Sequence, residues 1–330
     1  MAKCMTDTIN LTSVADAIRT KGGTSAQLIY PSGFVSAIQA IQTGITPKLV
    51  VTTTPGAAIT ATPAEGFKVV KGTAGADGMC TLELPKAGTW HVTAMANSVS
   101  NSQHIVIGTQ NMLLPLYHDT FANNTWEEII TVCRTGIAPD SWAVGDSKTM
   151  NIGGTAYQVD IIGKNHDEYA DGSGTAPLTF QLHDCYSEAK QMYSTNLSGL
   201  GWKNTDMRLT YLPAILALMP AEVQNGIRAV NKKTSEGGNS TTIETVSDTL
   251  FLLSEVEIFG TASSSVAGEG SQYDYYKAGN PKIKKREGVD EFWWERSSAS
   301  GGMFCRVRAN GQAGASNASS SLGVSFAFCF

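Results

Sequence analysis

The sequence predicts an α+β protein in three parts: a helical segment over residues 1–46, a small β-sandwich over 47–111, and a larger α+β domain over 112–330. Three observations carry this reading. Apolar residues recur at helical spacing near the N-terminus and again in isolated stretches of the second half. Between residues 47 and 110, some six short β-type runs are separated by turn signals. At the other end Val324, Phe326, Phe328 and Phe330 alternate with Ser325, Ala327 and Cys329, the period-two pattern of a strand with one apolar face. A chain of 330 residues is long enough for two or three domains.

In the first part, Leu11, Val14, Ala15 and Ile18 fall on one helical face, and Gly22-Gly23 supplies a stop. Pro31 stands where a first helical turn tolerates proline, Phe34, Ile38 and Ile41 continue the stripe, and Gly44 ends it. Helices this short are not stable alone in water. Their stripes need each other, a second copy of the chain, or another protein; we expect an assembly module, with a hairpin packed on its own chain as the alternative.

In the second part, Leu49–Thr54 turns at Pro55-Gly56, and Ala58–Ala61 and Phe67–Val70 follow. Ala76-Asp77-Gly78 turns into Cys80–Leu84, Pro85–Gly88 turns into Trp90–Met95, and His104–Ile107 closes the set. A spacer role is expected, with a secondary carbohydrate contact as the other possibility.

In the third part, Thr125 caps a helix that has acids in its first turn and Gly136 at its end. Thr149–Gly163 reads as a hairpin turning at Gly153-Gly154, and Leu178–Leu182 as a strand. Residues 202–219 read as a helix with Met207, Leu209, Leu212, Ile215, Leu216 and Met219 on its apolar side, interrupted or started by Pro213. Residues 249–260 read as a strand on which Glu255 and Glu257 share one face, a salt-bridged or solvent edge. The C-terminal stretch reads as Phe292–Ser297, a loop, a short strand at Phe304–Arg308, and a long loop over Ala309–Leu322.

Only 16% of residues are charged and the net charge is −5, so no global field draws the chain to nucleic acid or to an anionic membrane. Neither a secretory leader nor a membrane span is visible, so a soluble protein made in a cytoplasm is expected. The six cysteines are scattered without C-x-x-C spacing, which points to buried free thiols rather than zinc; Cys305 and Cys329 are the one pair that neighbouring strands can bring together. Asp160, Asp167, Glu168 and Asp171-Gly172 are the richest oxygen cluster, but their spacing is not an EF-hand loop, and a solvated turn is the simpler reading. Glu188, Glu255 and Glu257 are the carboxylates available for glycoside hydrolysis, with nothing in the spacing to set a pair. No nucleophile elbow or phosphate-cradling loop appears. We therefore expect no catalysis, no metal and no cofactor.

Binding is the better expectation. Between Ser297 and Phe330 there is no Lys, Asp, Glu, Trp or Tyr, while Ser, Ala, Gly and Asn dominate. Exposed contacts are expected at Ser298, Ser300, Arg306, Arg308, Asn310, Gln312, Ser316 and Asn317. Arg306 and Arg308 flank Val307, share a strand face, and can donate to carboxylates or sugar hydroxyls. Trp293, Trp294, Phe304, Val307, Val324, Phe326 and Phe328 are expected as scaffold, with one of the tryptophans as an alternative stacking platform.

Three stretches resemble known families. Leu11–Ser25 with Tyr30–Ile41 is similar to a segment of tail-associated structural proteins of phages and prophages of Gram-positive gut bacteria, covering about a tenth of the chain. Phe251–Gly260, Glu269–Tyr276, Phe292–Ser297 and Gly323–Phe328 together resemble, over about two thirds of the chain, a phage and prophage C-terminal domain family. That family has the C-type-lectin type of fold, akin to the formylglycine-generating enzyme and shared by variable proteins of diversity-generating retroelements. The chain departs from the family at Ser325-Phe326, where an Arg-Pro-like pair is usual. Residues 47–110 resemble immunoglobulin-like spacer modules. These resemblances imply a virion tail-tip or surface adhesin. It would bind a host-surface glycan or protein through C-terminal loops diversified by a retroelement and dock to other virion proteins through residues 8–44, as a homo-oligomer with a trimer favoured. The alternatives they leave are a purely structural baseplate or head-decoration protein, a glycan-acting enzyme, and a cysteine oxidase using Cys305 and Cys329.

Overall fold

Short strands dominate, and the protein is mixed α+β, with strands in several small, mostly antiparallel sheets. The structure, a computed structural model, describes residues 8–22, 47–64, 68–85, 87–107, 110–238 and 240–330. Two compact units emerge, Met1–Leu116 and Tyr117–Phe330.

In the first unit, α1 (Thr8–Gly22) buries Ala15 and Ile18, whereas Val14, expected on the same face, is exposed. The second helix expected over Pro31–Gly44 lies outside the described residues. Seven strands follow: β1 (Lys48–Thr52), β2 (Ala58–Pro63), β3 (Val70–Thr73), β4 (Met79–Glu83), β5 (Gly88–Ala96), β6 (Val99–Ile107) and β7 (Gln110–Leu113). They form one sheet of order β4-β1-β7 and another of order β3-β2-β5-β6. Among the described residues of this unit, only β1 and β7 pair in parallel. Alternating side chains of the two sheets, among them Leu49, Val51 and Leu82 from one and Ile59, Trp90 and Val92 from the other, share a single core.

The second unit opens with α2 (Trp126–Cys133). The Thr125 hydroxyl accepts from Glu128 N while the Glu128 carboxylate accepts from Thr125 N, a reciprocal cap. Thr125→Ala is expected to cost about 1 kcal/mol, read as a lowered urea midpoint of this unit, with Thr125→Ser unchanged. An equal loss in both variants would refute the role of the cap.

β8 (Ser147–Ile152) and β9 (Thr155–Lys164) form the expected hairpin, turning at Gly153 and Gly154, whose φ of 57° and 88° suit glycine. With β10 (Leu178–Leu182), the two-residue β13 (Leu250–Phe251) and β19 (Ala327–Cys329) they form a sheet of order β13-β19-β10-β9-β8. β11 (Val230–Ser235) pairs with β12 (Ile243–Asp248), and β14 (Lys284–Arg286) with β15 (Val289–Glu291). β16 (Trp293–Ser298), β17 (Met303–Val307) and β18 (Ala313–Asn317) make a three-stranded antiparallel sheet.

Four local expectations are corrected. The helix expected over 202–219 breaks into a 3-10 turn at Trp202–Asn204, a π-helical turn at Met207–Tyr211, and α3 (Leu212–Leu216), and Leu209 is exposed. Pro213 lacks the N–H that would continue a regular α pattern, and Leu212 N reaches back five residues to Met207 O instead. A further short helix, α4 (Ala221–Gly226), follows. The expected 249–260 strand stops at Phe251. Ser254 and Glu257 then form a second reciprocal cap that starts α5 (Glu255–Phe259), and Gly260, at φ 78°, ends it. The long loop over 309–322 contains β18. Finally, all of Val324–Phe330 is buried, Ser325 and Cys329 included, because both faces of β19 are covered: Phe328 packs on Phe180 and Phe330, and Cys329 lies against Asp167 and Thr179. α6 (Asp274–Lys277) completes the unit.

Candidate functional site

β16 is the buried carrier of the site. Its six residues include one glutamate and one arginine, yet all six are buried. Arg296 binds Glu257 through both terminal nitrogens, with Nη2 2.9 Å from Oε1. It also donates to Leu252 O at 3.0 Å, Lys233 O at 2.9 Å and Glu269 O at 2.8 Å. One guanidinium thus closes four chain segments onto β16. Beside it, Lys232, 1% exposed, pairs with Asp167 at 2.6 Å and Glu257 at 2.7 Å, and donates to the Tyr273 hydroxyl at 3.0 Å. Two cations thus face two anions, the condition for keeping buried charges. Burial is the largest influence and pushes the Asp167 carboxyl up, but the Lys232 charge and hydrogen bond and the Thr179 hydrogen bond together outweigh it and leave it at about 2.

The next residue, Glu295, is different. It is fully buried, and neither carboxylate oxygen has a hydrogen-bond partner. Burial raises its pKa well above the ordinary range, the charges of Glu255 and Glu269 raise it further, and Arg296 only partly opposes them. Glu255, expected on a salt-bridged or solvent edge, is buried, with its carboxylate held by Ser263, Ser264 and Ser265 N–H groups at 3.0, 3.0 and 2.9 Å. Burial first, and then these three acids, push the Cys305 thiol up, so it holds its proton. Cys329 lies instead beside Asp167 and Thr179; both cysteines are free.

The expected oxygen cluster is dispersed. Asp160 binds His183 Nδ1 at 2.7 Å, Asp167 serves Lys232, and Asp171 binds Arg228 at 2.6 Å. No three acid, histidine or cysteine side chains among the described residues converge on a metal position. Of the carboxylates weighed for hydrolysis, Glu188 pairs with Lys190 at the surface, while Glu255 and Glu257 are buried in the contacts above.

Above this base, the β17–β18 hairpin presents an exposed polar end. The Arg306 guanidinium lies over the Phe292 ring, 4.1 Å from its centroid. Arg306 Nε donates to Ala315 O at 3.2 Å, and Nη1 has no partner. Arg308 folds over Gly314, the residue paired with Arg306; a Cβ at Gly314 would lie 2.8 Å from Arg308 Nε. The turn closes through Gly311 N to Arg308 O and Arg308 N to Gln312 O, both 2.7 Å. Asn310 and Gln312 are exposed on it, their side chains 3.2 Å apart. Burial and the neighbouring Arg308 charge both lower the Arg306 pKa.

Of the expected contacts, Arg306, Arg308, Asn310 and Gln312 therefore gather at one end of the hairpin. Ser300, exposed, and Asn317, which pairs with Met303, lie at the other end, roughly 13 Å away at about 3.4 Å per residue. Ser316 is half-buried in the middle. Ser298 is corrected: it is buried, and its hydroxyl donates to Gly238 O at 3.1 Å, because β16 runs through the interior to its last residue. Trp293 and Trp294 are fully buried, with indole N–H groups on Lys282 O and Lys190 O, so neither is open to a ligand. Phe304, Val307, Val324, Phe326 and Phe328 are buried as well. Phe292, grouped with the tryptophans in sequence, is 37% exposed; its place at the N-terminal edge of the block was the available signal.

A separate cleft of about 240 Å³ lies between the π-helical turn and the β12–β13 corner, lined by Arg208, Leu209, Leu212 and Asp248 among others. Its arginine is already occupied by Asp248 at 2.6 Å and by the Lys203 and Ser247 carbonyls.

Residues 179–330 match a family model described as a domain of unknown function, DUF6273. The matched segment contains β10–β19, hence the arginine hairpin end and every charged partner of Arg296. No curated protein and no solved structure matches the chain.

Proposed function

We propose that the chain is a virion tail-tip or surface adhesin that binds a host-surface glycan or protein reversibly through the exposed end of the β17–β18 hairpin. In this reading the Tyr117–Phe330 unit has the C-type-lectin type of fold, the strands of the first unit form an immunoglobulin-like spacer, and residues 8–44 dock the protein to the particle. A homo-oligomer, with a trimer favoured, would convert weak single sites into strong adhesion by effective concentration. The observation that carries the reading is the contrast within one sheet. β16 is locked from below by the Arg296 contacts, while the turn between β17 and β18 exposes Arg308, Asn310 and Gln312 to solvent beside the half-buried Arg306. A rigid base beneath a variable polar surface is the usual arrangement of a binding site.

Replacing the whole 298–322 stretch would destroy the scaffold, since Phe304, Val307 and Ala318 within it are fully buried. The sharper variant changes only Arg306, Arg308, Asn310 and Gln312 to serine. Unmodified protein is expected to bind cells of at least one Gram-positive gut host, and the four-serine variant, with an unchanged near-UV circular dichroism spectrum, to lose that binding. Equal binding by both would overturn the assignment of the surface, and no binding to any host would favour a structural baseplate or head-decoration role.

A further inference from the structure

We propose that the Arg306–Arg308 end of the hairpin is an anion site, and that its ligand is the carboxylate or phosphate of an acidic surface polysaccharide. This rests on the adhesin reading and narrows its ligand class.

The argument begins with pairing. Arg208, Arg228, Arg286 and Arg296 each hold a carboxylate. Arg306 and Arg308, like the exposed Arg134, hold none among the described residues, but these two lie side by side and repel. Two adjacent guanidiniums with no acid leave a local positive charge that an anion placed between them would neutralise. The chain also supplies what keeps them adjacent. Gly314 leaves the space into which Arg308 folds, and a side chain there would displace it.

Arg306 is oriented before any ligand arrives. The Phe292 ring supports one face of the guanidinium, Ala315 O fixes Nε, and Nη1, itself shielded from solvent, is left without a partner. A planar fork held in this way matches the two oxygens of a carboxylate or phosphate, and less ordering is lost on binding. The Asn310 and Gln312 carboxamides on the same turn suit the hydroxyls that accompany such a group on a sugar or polyol. In a chain of net charge −5, a local positive end also attracts an anionic polymer in one orientation.

The test immobilises polygalacturonate, polyglycerol phosphate and neutral dextran and measures binding of the full chain by interferometry. Binding to at least one polyanion and none to dextran is expected, weakening as salt rises. Arg306→Gln and Arg308→Gln are each expected to weaken it about tenfold or more, the loss of one charge-assisted pair. Arg306→Lys should not restore it, because an ammonium neither forks nor stacks in the same way. Arg134→Gln, at an exposed position away from the hairpin, should leave it unchanged. The preferred polyanion distinguishes carboxylate from phosphate. The proposal is overturned if neither polyanion binds, if the hairpin variants bind like the parent, or if Arg134→Gln weakens binding equally. Host-cell binding that depends on the hairpin but shows no polyanion preference would leave the adhesin reading standing without this inference. Arginine-dependent polyanion binding with no host-cell binding would do the reverse.

Discussion

Arg296→Ala is expected to cost the Tyr117–Phe330 unit about 3–5 kcal/mol, the usual penalty for removing one partner of a buried ion pair. That is a large share of a typical domain stability of about 5–15 kcal/mol. The cause is more than the Glu257 pair. The same guanidinium satisfies the carbonyls of Lys233, Leu252 and Glu269, which belong to three separate segments, and burial leaves no water to replace it. Arg296→Lys should be almost as damaging, since one ammonium cannot reach Glu257 and three carbonyls in a planar array. Urea unfolding followed by tryptophan fluorescence reads the effect, because Trp293 and Trp294 are in the same strand. A lysine variant within about 1 kcal/mol of the parent would show that charge alone is needed.

Glu295→Gln is expected to stabilise the same unit, increasingly so as pH rises. Glu295 has a folded pKa raised well above its ordinary value of 4.5, by burial and then by Glu255 and Glu269. Above that ordinary value the unfolded chain releases a proton that the folded chain keeps, so the contribution to stability is full at low pH and falls as pH rises towards the folded value. Each pH unit across that window costs roughly 1 kcal/mol. Asp167 works in the opposite sense. Its folded value of about 2 gives stability above the unfolded value that is lost as the solution is acidified. Wild type should therefore weaken at both extremes, and the variant should lose most of the alkaline limb that begins above the ordinary glutamate value of 4.5. An unpartnered glutamine amide carries its own cost, but that cost does not change with pH. His183, whose pKa is raised first by its hydrogen bond to Asp160, adds alkaline loss to both proteins and cancels in the difference. Melting temperatures of the two proteins that run parallel across this range would refute the account.

Much of the chain could be read before it was seen folded. The Thr125 cap, the Gly153-Gly154 hairpin and the 178–182 strand depend on residues close in sequence, and each formed as expected. The error at 249–260 was also local in origin. Ser254-x-x-Glu257 is a helix-start signature, but the apolar run around it looked like a strand and masked it. The aromatic blocks of the C-terminal stretch were legible as scaffold because burial of large apolar side chains follows composition. Ser298 was misplaced because a small polar residue reads as surface unless its long-range partner, here Gly238 O, is known.

By itself, then, the sequence determined the α+β class, the order of strand-rich and helix-bearing stretches, and the presence of Arg306 and Arg308 on one strand face. These follow from periodicity and turn chemistry, which act over a few residues. Only the tertiary structure decided which polar groups meet. Glu257 with Arg296, Lys232 with Asp167, and Arg306 on Phe292 are separated by 39, 65 and 14 residues, distances over which no local pattern carries information. Only the folded state could show that Arg306 and Arg308 lie side by side with no acid among the described residues, because the absence of a partner is a property of every neighbour at once.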